Sequence, residues 1–117
     1  MKILLINHLP LVGSGSGVYT TNLAKSLQKL GNEVCIIMPE NETKNIENEE
    51  AIPGQLDFNF PCFTSHPRSS LNYYDMTDEQ LNEFCEAFDK AIKEEIDNFK
   101  PDIIHSRTYM GYNKHCL

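Results

Sequence analysis

Three glycines alternate with serines in Gly13-Ser14-Gly15-Ser16-Gly17. Without side chains at every second position, the backbone N–H groups of such a loop can approach an anion closely. A helix starting there adds its positive end, which makes a phosphate or a polar substrate a natural ligand. The spacing is not the dinucleotide fingerprint GxGxxG, and no Gly-Lys-Ser/Thr follows it. The alternative is a loop that does no more than begin a helix. Near the other end, His105-Ser106-Arg107 offers an imidazole that exchanges protons near neutral pH and a forked cation suited to an anionic ligand. No Asp or second His flanks His105 at a diagnostic spacing, so a histidine satisfied by nearby backbone is the competing reading, as is a plain surface role for Arg107. His8 carries the same ambiguity. His66-Pro67-Arg68-Ser69-Ser70 reads as an anion-facing loop or as a turn set by Pro67, and Tyr73, Tyr74, Tyr109 and Tyr112 as sugar-lining rings or as cover for apolar surface.

The elements around these residues place them. Ile3-Leu4-Leu5-Ile6 is a continuous apolar run, the pattern of a strand covered on both faces. Tyr19, Leu23, Leu27 and Leu30 recur at helical spacing, which predicts a helix over Val18–Leu30 with Ser16 as its cap and Gly31 closing it. Val34–Met38 is a second buried strand, stopped by Pro39. Five glutamates fall within Glu40–Glu50, so residues 40–55 read as an acidic, solvated loop. Leu56, Phe58 and Phe60 alternate with polar residues and predict a third strand.

Thr77 and Gln80 fit a capping box, Met76 can staple to Leu81, and a stripe of Leu81, Phe84, Cys85, Phe88, Ile92, Ile96 and Phe99 predicts a long second helix. Pro101 ends it, and Asp102-Ile103-Ile104-His105 reads as a short buried strand delivering His105 to its carboxyl end. Strands alternating with helices predict a doubly wound α/β fold with a parallel sheet of about four strands. In the order third, second, first, fourth, Gly13 to Gly17 and His105 to Arg107 flank one crevice.

At 117 residues the chain has room for one domain, taken as 1–117, with the polar end at 113–117 expected to be disordered. Ten Lys and Arg against 17 Asp and Glu give a net charge of −7, which argues against nucleic acid or anionic lipid as partners. Cys35, Cys62, Cys85 and Cys116 show no metal-ligand spacing, and Cys35 and Cys85 on apolar faces suit reduced, buried thiols. The apolar run behind Lys2 is too short for a signal peptide or a membrane span, so a cytoplasmic location is expected.

Two blocks carry a resemblance. KILLIN, the glycine loop, Tyr19, Asn22-Leu23-Ala24, Leu27, Leu30-Gly31-Asn32-Glu33-Val34 and Met38-Pro39 resemble the opening of family 4 glycosyltransferases of the GT-B fold, and Lys100-Pro101-Asp102-Ile103-Ile104-His105 resembles that family's later "PDIIH" strand. The resemblance covers essentially the whole chain as the N-terminal, acceptor-side domain. It implies a Rossmann-like, three-layer αβα arrangement that is incomplete relative to a full GT-B N-terminal domain. It also implies retaining transfer of a sugar from a nucleotide diphosphate sugar to an acceptor hydroxyl, usually without a bound metal or other cofactor.

By the same resemblance, Gly13, Gly15 and Gly17 lie in the loop that approaches donor phosphate and acceptor, and His105 is the histidine near the sugar. Relatives often carry a second histidine two positions further on, where this chain has Arg107. Most nucleotide-sugar contacts belong to the family's C-terminal domain, which lies beyond these residues, so the expectation is a fragment inactive alone that meets donor and acceptor only with that domain. A second expectation is a non-enzymatic binding or assembly module, pairing with itself through an exposed sheet edge or with a separate donor-domain subunit. A dinucleotide-binding oxidoreductase domain is weaker, because Glu40 follows the second strand but the glycine spacing is wrong.

Overall fold

The structure is a computed structural model that describes residues 1–9, 14–38 and 75–106, together with the backbone of 49–51, 61–62 and 71–72. The elements in chain order are β1 (Lys2–Ile6), α1 (Gly15–Lys29), β2 (Glu33–Met38), β3 (Glu49–Ala51), β4 (Pro61–Cys62), β5 (Leu71–Asn72), α2 (Asp78–Phe99) and β6 (Ile103–Ser106). One parallel sheet runs in the order β3-β2-β1-β6, and β4 and β5 form a separate two-stranded parallel pair. The α/β class and the doubly wound order are those read from the sequence. The third strand differs: Glu49–Ala51, inside the stretch read as an acidic loop, pairs with Ile36–Met38. Charged residues are tolerated on an edge strand, where apolar patterning is no guide. The strand expected around Leu56–Phe60 lies outside the described residues, as does the tail at 113–117.

Alternation along the central strands sends side chains to two helices. Ile3, Leu5, Val34, Ile36 and Met38 pack with Ala24, Leu23 and Leu27 of α1, whereas Leu4, Ile6, Cys35 and Ile37 pack with Ala87, Ala91, Phe88, Ile92 and Phe99 of α2. The sheet is therefore sandwiched between helices, and β1 and β2 are buried on both faces as their unbroken apolar runs require.

Both helices turn their sheet-facing stripe slightly from the one read in sequence. On α1 the buried positions are Gly17, Thr20 and Ala24, and Tyr19 is 49% exposed. On α2 the buried positions include Ala87 and Ala91, and Ile96 is exposed. Small residues bring a helix axis close to the sheet, and the larger ones then pack along its flanks.

Helix ends are chemically specified. α1 begins at Gly15, three residues ahead of the expected start at Val18, and is capped by Ser14, whose Oγ accepts the Gly17 N–H at 2.9 Å. It ends in a Schellman arrangement, with Gly31 N–H donating to Gln28 O and Asn32 N–H to Leu27 O, while Gly31 takes φ +87°. The capping box of α2 is complete: Gln80 N–H donates to Thr77 Oγ1, and Thr77 N–H donates to Gln80 Oε1. Lys100 stops α2 in the left-handed region, because Pro101 disfavours helical geometry in the residue before it.

β6 departs most from expectation. It reads as a buried strand, yet Ile103 and Ile104 are 44% and 46% exposed. Among the described residues β6 has a neighbour only on its β1 side, and that half-covered position accounts for the exposure. Cys35 is a buried thiol, as read from the sequence. Cys85 is buried on the α2 stripe, as read from the sequence.

Candidate functional site at the strand ends

From β1 the sheet grows through β2 and β3 in one direction, and β6 joins on the opposite side. The carboxyl ends of β1 and β6 therefore flank the point where strand order reverses, the usual place for a ligand in an open parallel sheet. α1 starts just beyond β1 at this end. His105 is the penultimate residue of β6 and pairs in register with Leu5. Because Leu5 packs with α1, the register puts His105 on the α1 face of the sheet.

The start of α1 is held by side chains. Ser14 is buried, and its Oγ uses up the Gly17 amide while its carbonyl takes the Val18 amide at 3.1 Å. The N–H groups of Gly15 and Ser16 take no partner among the described residues, so two donors of the first turn remain available at the positive end of a 15-residue helix. Gly15 is exposed, and a Cβ built there would meet nothing within 4 Å. The fold itself does not demand glycine at this position. Thr20 Oγ1 donates back to Ser16 O at 2.8 Å, inside the same turn.

Asn7, which follows β1, is fully buried and was not singled out by sequence reasoning. Its Nδ2 donates to Leu9 O at 2.6 Å, and its Oδ1 accepts from Ser16 Oγ at 2.9 Å. Ser16, expected to cap the helix, instead ties the first turn of α1 to the end of β1. The available signal was a polar residue placed directly behind a continuous apolar strand, which otherwise reads as the start of a loop.

Of the sequence-derived candidates, the structure brings Gly15 and Gly17 to the same end of the sheet as His105. Gly13 and Arg107 lie outside the described residues, as do residues 66–70, Tyr73, Tyr74, Tyr109 and Tyr112. The His105 side chain is exposed and makes no hydrogen bond or ion pair among the described residues. His8 is buried and partnered, which favours its satisfied-histidine reading. Among the described residues no group of three His, Cys, Asp or Glu could hold a metal ion, and no helix is long and apolar enough to cross a membrane.

A parallel αβα sandwich with a glycine-started helix at its switch point defines a Rossmann-like α/β domain. The chain belongs to glycosyltransferase family 4: the model of that family, described as Glycosyltransferase Family 4, matches residues 13–113. Comparison with curated proteins and with solved structures returned no match.

Proposed function

We propose that residues 1–117 form a single domain serving as the N-terminal, acceptor-side wall of a retaining GT-B glycosyltransferase, which moves a sugar from a nucleotide diphosphate sugar to an acceptor hydroxyl. Family membership supports the class of reaction. The observation that carries the site is the pair of available amides, Gly15 N–H and Ser16 N–H, at the same sheet end as His105. In this reading Gly13, Gly15 and Gly17 bring backbone donors to donor phosphate or acceptor. His105 contacts the sugar, and Arg107 supplies a cation to the diphosphate.

Departure of a diphosphate needs donors from both walls of the cleft, so the chain alone is proposed to lack appreciable transfer. A turnover assay with mixed nucleotide sugars and simple acceptor glycosides tests this. Background-level transfer by the isolated chain, together with saturation-transfer signals from nucleotide sugars, supports the reading. Robust transfer overturns the inactivity, and a complete lack of ligand signal overturns the site. The cytoplasmic setting expected from the sequence goes with this reading.

One observation favours the second reading, an assembly module. Ile103 and Ile104 stand exposed on opposite faces of a strand that has one neighbour among the described residues. A second copy, or a separate donor-domain subunit, gains by covering them.

A further inference from the structure

Asn7 joins three parts of the site-bearing end of the sheet. Its backbone N–H donates to Ile37 O at 2.9 Å, extending the ladder to β2; its Nδ2 closes the turn out of β1 on Leu9 O; and its Oδ1 receives Ser16 Oγ from α1. A fully buried carboxamide with both ends of its side chain engaged is a specified feature, because the same group left unsatisfied is costly. The geometry of the amide also allows only one orientation, with oxygen toward the Ser16 hydroxyl and nitrogen toward the Leu9 carbonyl.

We propose that Asn7 and Ser16 form a clasp that positions the first turn of α1, and with it the Gly15 and Ser16 amides, over the carboxyl end of β1. In this role neither side chain touches a ligand; both are positioning residues. Ser14 satisfies the Gly17 and Val18 amides from within the helix, but that cap fixes the turn only relative to itself. The Asn7–Ser16 bond is a side-chain link from the turn to the buried strand. The chemical consequence is that the two amides meet a diphosphate already aligned, without the ordering cost that a mobile glycine loop imposes on binding. The use of the clasp in binding rests on the proposed phosphate-facing role of this turn, whereas its mechanical role does not.

Ser16→Ala removes the hydroxyl that donates to Asn7 and leaves the Ser14 cap and the Ser16 backbone acceptor for Thr20 in place. Ser16→Thr keeps a hydroxyl at the same point. Amide exchange followed by nuclear magnetic resonance at Gly17 and Val18, with the buried Ala91 turn of α2 as an internal reference, reads the clasp directly. The expected result for Ser16→Ala is faster exchange at Gly17 and Val18 by about fivefold, the equivalent of one ordinary hydrogen bond, with α2 unchanged and with recovery in Ser16→Thr. Unchanged exchange at Gly17 and Val18, or equal acceleration in α2, overturns the clasp. Titration with inorganic pyrophosphate then reads its use: affinity is expected to fall about fivefold in Ser16→Ala and to return in Ser16→Thr. A parent chain that does not bind pyrophosphate refutes the phosphate-facing role of the turn, and the exchange measurement still decides the clasp.

Discussion

Asn7→Asp changes one side-chain nitrogen to oxygen and nothing else in shape. In the parent, Nδ2 donates to Leu9 O across 2.6 Å within a fully buried site. A carboxylate there loses that bond and sets two oxygens against each other, while the bond from Ser16 Oγ survives. Leaving the buried Leu9 carbonyl without its donor costs about 1–3 kcal/mol, and burial of the new charge adds to the loss. The neutral acid is different, because its O–H can donate to Leu9 O as the amide does.

Burial and the facing carbonyl both disfavour the ionised form, so the folded-state pKa of the introduced acid rises above its unfolded value of about 3.9. The destabilisation is then full above the folded pKa, shrinks as pH falls through it and vanishes below the unfolded value. Urea unfolding of parent and variant, compared at each pH from 7.5 to 5, measures this difference free of the chain's other titrations. A loss at pH 7.5 below about 0.5 kcal/mol, well under the net value of the hydrogen bond removed, would refute the reasoning, as would a loss that does not change with pH.

Thr77→Ala removes the Oγ1 acceptor of the α2 capping box, leaves the backbone N–H of residue 77 free to donate to Gln80 Oε1, and is expected to cost about 1 kcal/mol, read as a lower urea midpoint with an unchanged slope. Ile104→Lys addresses the exposed strand β6: burying the remaining half of one isoleucine is worth about 1 kcal/mol, so two isoleucines per copy support at most weak self-pairing against the cost of association. Sedimentation equilibrium is expected to show concentration-dependent association of the parent at high concentration and a monomer for Ile104→Lys. A strictly monomeric parent counts against the assembly reading.

Strong local chemistry made part of this molecule legible before its structure was known. The α2 capping box at Thr77 and Gln80 and the paired apolar runs Ile3–Ile6 and Val34–Met38 follow from pattern and period. The start of α1 did not, because Ser14 and Ser16 are interchangeable as caps in an alternating Gly-Ser loop until tertiary contacts choose between them. Ser16 is drawn off by Asn7, and Ser14 caps. The helix stripes read from the sequence were incomplete for a related reason. Leu23, Leu27, Phe88, Ile92 and Phe99 do pack on the sheet, but Ala24, Ala87 and Ala91 give weak hydrophobic signals, and it is close approach to the sheet that selects them. β3 was hidden because two of its three residues are glutamates. The exposure of Ile103 and Ile104 reflects what stands beside β6, which local sequence does not encode. At the site, the glycine loop and His105 were visible as residue types at strand ends, whereas Asn7 acts through a long-range bond that no spacing rule reveals.

The central claim is that the carboxyl ends of β1 and β6 form one wall of a sugar-transfer cleft. Residue-resolved nuclear magnetic resonance of the labelled chain during titration with a nucleotide diphosphate sugar tests it most directly. The account predicts shifts concentrated at the Gly15, Ser16 and Gly17 amides and at the His105 imidazole, with the exposed face of α2 unmoved. Saturable shifts confined to other surfaces, or none at these four residues, would contradict it.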